Sequence, residues 1–264
     1  MDKIIKLSDR AIVEISGDDR KQFLQGLITN DINKLSRKLL YCAMLSAKGR
    51  FLYDFFIFEN GEKILLDCLA ARADEIVKKF NFYKLKSQIS VRKIDEMAVF
   101  VDLEGNFSNE GVIDPRNSAM GKRIYSSLAI PTQNNDLQYH FKRISLKIPE
   151  GEYDLTYDKS IINEFNFDNL NAIDYEKGCY IGQELTARTH HLGQVRKKIF
   201  YVKIEDTQKI EKNCEITCEG KNVGIILSSV FYEGKLHALA LIKDEIFMQN
   251  AMPEMFCGDK KIII

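Results

Sequence analysis

Two tight-turn signals, Ala47-Lys48-Gly49 and Asn60-Gly61, constrain this chain most, because they cut residues 41–70 into three runs of strand length. YCAMLS (41–46), RFLYDFFIFE (50–59) and KILLDCLA (63–70) are dominated by apolar and aromatic residues, side chains that pack well on a pleated surface. Glycine at such a turn supplies the positive φ that closes a hairpin. An antiparallel meander is therefore expected. Upstream, RAIVEIS (10–16) alternates like a strand, and Ser16, Asp18 and Asp19 offer an N-cap and first-turn acids to a helix burying Phe23, Leu24, Leu27 and Ile28. Downstream, the pattern predicts a helix over 73–82, strands at 88–94 and 97–103, a loop at 105–111 and a strand at 121–127. Strand, helix, strands, helix, strands is an α+β order with antiparallel sheets, not a doubly wound parallel sheet.

The second half changes character. Leu137 to Ile148 reads as a helix with Leu137, Phe141, Ile144 and Ile148 on one stripe, ended by Pro149 and Gly151. After Lys198 come IFYVKIE, CEITCEG, KNVGIILSSVFYEG, KLHALALIK and KKIII, short strands between turns with no helix-length segment. That is the pattern of a small β-barrel, and it places a domain boundary near residue 196: 1–195 before it, 196–264 after it.

Charge balances at 38 acids and 38 bases, so no global field recommends nucleic acid or a membrane as partner. No apolar run reaches membrane-spanning length, and MDKIIKLSDRAIVEI lacks the composition of a signal or transit peptide. Six cysteines (42, 68, 179, 214, 218 and 257) over 264 residues make no disulfide framework, and Cys214 and Cys218, without metal-site spacing, read as packing. A soluble, cytoplasmic protein is the expectation. Phosphate-loop, dinucleotide-fold, serine-hydrolase and zinc-protease signatures are all missing from the sequence.

The chemistry concentrates in KGCYIGQELTARTHHLGQVRKK (177–198). Cys179 stands between Gly178 and Tyr180, two residues from Lys177, and a helix beginning near Gly182 turns free N–H groups toward it. A nearby cation or helix N-terminus favours the thiolate; a small residue that merely packs is the alternative. Gln183, Glu184 and Arg188 flank that helix's apolar stripe, where they suit an amide-bearing heterocycle or a carboxylate. His190 and His191, being adjacent, do not aim at one ion, so no metal site is assigned. Asp114-Pro115-Arg116 with Gly121-Lys122-Arg123 makes a second basic spot in what reads as an ordinary turn.

KGCYIGQE (177–184), Ala187-Arg188 and GQVRKK (193–198) resemble the folate-binding YgfZ family, relatives of the aminomethyltransferase (T-protein) of the glycine cleavage system. FLQGLITNDI (23–32), YCAMLSAKGRFLYD (41–54) and DPR…GKR (114–123) match in the same order, so the resemblance covers nearly the whole chain. It implies two interwoven α+β modules plus a C-terminal β-barrel, in a bacterial factor that binds tetrahydrofolate and assists assembly or repair of iron–sulfur clusters. Its partners would be iron–sulfur carrier or client proteins, without direct nucleic-acid or membrane contact. Cys179 is then the functional thiolate; Glu164 and Glu184 are candidates for the pterin, and Lys177, Arg188 and Arg196 for the glutamate tail. Leu192 stands where the family often has a basic residue. The transferases' paired-acid hairpin survives here only as Asp54 in GRFLYDF, the residue a folate-dependent aminomethyl transfer would use.

Overall fold

The computed structural model describes residues 4–35, 38–105, 111–132, 136–193, 195–205, 210–247 and 253–264. It divides into two compact units, one of Met1–Asp136 with Asp168–Gln183, the other of Leu137–Phe167 with Glu184–Ile264.

In the first unit, β1 (Ile4–Lys6), β2 (Arg10–Ser16), α1 (Arg20–Gln25), β3 (Leu40–Leu45), β4 (Phe51–Asn60), β5 (Lys63–Leu69), α2 (Ala73–Tyr83), β6 (Ser90–Ile94), β7 (Ala98–Asp102), β8 (Val112–Ile113) and β9 (Lys122–Ser126) follow one another. They build two antiparallel sheets, ordered β3-β4-β5-β2-β6 and β1-β7-β9-β8. The expected hairpins form as read, with Gly49 at φ 74° and Gly61 at φ 61°. Strand β4 is buried along its first seven residues, so its aromatic run is core on both faces.

A polar cluster sits inside this apolar unit. Asp67 accepts from Arg10 Nε and Arg123 Nη2, both at 2.6 Å, and from the Tyr125 hydroxyl at 3.1 Å. The Arg116 guanidinium pairs with Asp114, and the guanidinium carbons of Arg116 and Arg123 lie 4.6 and 3.8 Å from the Phe56 ring centroid. The basic spot at 114–123 is therefore part of a buried network, not a surface turn.

Helix α1 is shorter than the sequence suggests. Asp19 does not cap it with its side chain but accepts from Gln88 N–H, and Ile28 lies beyond its end, bridged to Met44. Of the loop expected at 105–111, residues 106–110 lie outside the described residues.

The second unit carries α3 (Asp136–Ser145), α4 (Gly151–Asp154), α5 (Gln183–Leu192) and strands β10 (Lys197–Ile204), β11 (Glu215–Cys218), β12 (Lys221–Tyr232), β13 (Lys235–Lys243), β14 (Met255–Cys257) and β15 (Lys260–Ile263). The strands close a barrel in the order β10-β13-β12-β11-β14-β15. Strand β14 escaped the sequence reading because MFC is too short to show alternation. Helix α3 buries Tyr139, Arg143 and Ile144, leaving Leu137 exposed. Its rotation follows Arg143, which is fully buried and bonds Asp154 at 2.7 Å and Ser228 Oγ at 3.0 Å. Cys214 is corrected from packing to bonding: it forms a disulfide with Cys257.

Candidate functional site

The loop that carries Cys179 is fastened to residues 25–34 by hydrogen bonds. Thr29 Oγ1 donates to Ala172 O at 2.6 Å, Asn30 Nδ2 to Asn171 O at 2.8 Å, Asp174 N to Thr29 O at 3.0 Å and Ile181 N to Gly26 O at 3.0 Å. Lys34 reaches the Asp174 carboxylate, which holds that carboxyl below the usual range against the upward push of burial.

At the centre is Lys177. Its ammonium donates to three backbone carbonyls, Gln25 O at 2.8 Å, Ile28 O at 2.6 Å and Asn30 O at 2.8 Å, and lies 5.0 Å from the Tyr180 ring centroid. An ammonium has three hydrogens, and all three are committed here. Burial lowers the Lys177 pKa to about 8. This lysine ties the loop down and retains no hydrogen for an anionic ligand.

The loop's far end is fixed by glycine. Gly182 has φ +84°, and a Cβ there would collide with the Ser46 carbonyl oxygen and come within 2.8 Å of Leu45 Cβ and 3.1 Å of Gly49 Cα. The hairpin turn of β3–β4 thus packs directly on Gly182. Gln183 adds a local clasp, its Oε1 accepting from Tyr180 N at 3.1 Å.

Between these anchors Cys179 is exposed. The other free thiols of this unit differ: Cys42 and Cys68 are buried, and burial drives both thiols up, Cys68 to about 12. They are protonated and inert at neutral pH. Among the described residues no group of three or more His, Cys, Asp or Glu side chains is placed to hold a metal ion.

Of the remaining candidates, Glu184 and Arg188 stand exposed one turn apart on α5, with Thr186 buried on its opposite side. The Thr186 hydroxyl has no hydrogen-bond partner among the described residues, a feature the sequence reading missed because threonine in an amphipathic stripe gives no signal of its own. Glu164 is half-buried on the single turn Ile162–Phe165, and Arg196 is exposed just before β10. Those two sit on separate elements of the second unit. Asp54 is 3% exposed and accepts from the Tyr41 hydroxyl at 2.9 Å, so it serves the β3–β4 pair from inside.

Three segments far apart in sequence (25–34, 45–49 and 171–183) thus converge to display one cysteine. The chain is 35% identical over 229 residues to the mitochondrial iron–sulfur cluster assembly factor IBA57 homolog of Neurospora crassa, covering 74% of this chain and 52% of that one. It is 33% identical to the mitochondrial iron–sulfur cluster assembly factor IBA57 of Mus musculus, covering 76% of this chain and 66% of the relative. The chain belongs to the YgfZ family. The human IBA57, 28% identical, aligns over 94% of this YgfZ-family chain and 84% of its own. The chain spans about half the length of the fungal relatives from Neurospora crassa and Pyricularia oryzae. No protein-family model matches it. Among solved structures, the glycine cleavage system aminomethyltransferase T from Bartonella henselae superposes with a TM-score of 0.72 at 13% identity, over 98% of this chain and 83% of that chain. That likeness establishes the expected α+β fold with its C-terminal barrel.

The comparisons overturn one expectation. The relatives, from fungi, mammals and Dictyostelium discoideum, are mitochondrial by name, which points to the mitochondrion rather than the cytoplasm and lends no support to a bacterial reading. The cytoplasmic expectation rests on cysteine usage, which does not distinguish one reducing compartment from another, and on the composition of MDKIIKLSDRAIVEI.

Proposed function

We propose that this YgfZ-family protein is a tetrahydrofolate-binding accessory factor for assembly, insertion or repair of iron–sulfur clusters in client enzymes, with Cys179 as its working thiolate. The observation that carries the reading is the exposed Cys179 sulfur on a loop locked by Lys177, Gly182 and Gln183. Cluster iron is the cargo. One thiolate does not complete a four-cysteine site, so Cys179 contributes a single, transient ligand and the iron–sulfur carrier or client protein supplies the rest. Immobilising the loop before the partner arrives lowers the ordering cost of that encounter.

The donor set fits a folate. Glu184 and Arg188 are exposed and engaged by no other described residue, giving a carboxylate for an aminopyrimidine edge and a guanidinium for the glutamate tail. Arg196 adds a second exposed cation. Tetrahydrofolate, when bound, supplies a reduced pterin able to carry a one-carbon unit. Direct aminomethyl transfer through Asp54 is not favoured, since that carboxylate is sealed between strands.

Isothermal titration with tetrahydrofolate tests the ligand and the site together. Wild type binds, and Glu184→Gln, which keeps shape but loses charge, weakens binding by about tenfold, the worth of one charge-assisted hydrogen bond. Equal affinity in the two proteins removes Glu184 from the site; no heat with wild type removes folate.

A further inference from the structure

The barrel unit holds sulfur chemistry that the Cys179 loop does not use. Cys214, just ahead of β11, and Cys257, the last residue of β14, are joined with Cα atoms 6.6 Å apart across 43 residues of sequence. The ladders β11–β12, β11–β14, β14–β15 and β10–β15 close the barrel through backbone hydrogen bonds, so closure does not depend on the sulfur bond. Both cysteines line an open cavity of about 500 Å³ together with Lys212, Asn213, Asp259 and Lys260. That volume falls within the roughly 300–1,000 Å³ of small-molecule sites.

The two sulfurs are not equivalent. Cys257 is 3% exposed, whereas Cys214 is only partly buried, so a reagent entering the cavity meets Cys214 first. Cys257 is the direct cross-strand partner of Lys260, a pairing that sets the two Cβ atoms about 4.5–5.5 Å apart on one face. Burial of Cys257 in the barrel core disfavours a charged departing sulfur, and a cation at the paired position offsets part of that penalty.

We propose that the Cys214–Cys257 pair is a thiol–disulfide exchange site for a small thiol of the glutathione class, with Cys214 the sulfur attacked and Cys257 the sulfur released. The incoming thiolate bonds to Cys214 Sγ, the protein S–S bond breaks, and its electron pair leaves on Cys257 Sγ, which takes a proton from solvent. A second thiolate displaces Cys214 from the mixed disulfide. Two small thiols are thereby oxidised to one small disulfide while the protein disulfide is reduced to two thiols; oxidised glutathione drives the reverse.

The test equilibrates the folded full chain in reduced and oxidised glutathione, traps thiols by alkylation and reads each cysteine by peptide mass, which separates Cys179 and Cys218 from the pair. In wild type the bond opens and re-forms reversibly without denaturant. Cys257→Ser accumulates glutathione on Cys214 at least tenfold more than Cys214→Ser does on Cys257. A wild-type bond that resists glutathione until the chain is unfolded, a bond that never forms in oxidised buffer, or equal loading of the two variants would each overturn the proposal.

Discussion

Asp67→Ala is expected to cost about 3–5 kcal/mol of folding stability, the range for removing one partner of a buried ion pair, and to lower the melting temperature by roughly 6–20 °C for a chain of this size. Asp67 is fully buried and its two oxygens take the Arg10 and Arg123 guanidiniums and the Tyr125 hydroxyl. Removing the carboxylate takes the 2.6 Å charge partner from two guanidiniums whose side chains are 1% and 0% exposed, leaving Arg10 its bond to the residue-67 carbonyl and Arg123 the Asp114 carboxylate at 3.9 Å. Their contacts with the Phe56 ring, at 5.7 and 3.8 Å from its centroid, offset only a small part of that loss. Urea unfolding measures the change directly. A loss below 1 kcal/mol would mean that Asp67 is not the principal charge partner of the two guanidiniums, contrary to the packing described.

Gly182→Ala is the second large effect, and it falls on the site. The position needs φ +84°, and a methyl group there meets the Ser46 carbonyl. Left-handed strain alone costs about 1–3 kcal/mol, and the collision adds to it, so the loop shifts instead of absorbing both. Stability is expected to fall by about 2–4 kcal/mol, and the reaction rate of Cys179 with a thiol reagent to change severalfold because its anchors have moved. Unchanged stability together with an unchanged thiol rate would show that Gly182 does not position the loop.

The meander, its two hairpins and most of the barrel were legible because strand patterning and turn glycines are local signals. The site was legible in part. KGCYIGQE marks a special loop, and Cys179 is exposed on it; the resemblance implies a ligand contact for Lys177, whose ammonium in the structure meets three backbone carbonyls. Its role as a clamp depends on three carbonyls contributed from residues 25–30, about 150 positions away, and no spacing rule reports that distance. The same limit hid the Arg10–Asp67–Arg123 cluster, whose members are separated by 56 and 57 residues. It also hid the Cys214–Cys257 bond, since a cysteine pair 43 residues apart carries no spacing motif. Glu164 and Arg196 lie on separate elements, the turn Ile162–Phe165 and the residue before β10, a placement that no local pattern reports.

The most direct test replaces Cys179 with alanine in the full chain. The substitution removes one exposed sulfur, so melting temperature and tetrahydrofolate affinity are expected to match wild type. In cells lacking the native protein, cluster-dependent enzymes are expected to stay as inactive as with no protein at all. Full restoration of those activities by Cys179→Ala would contradict the assignment of the working thiolate.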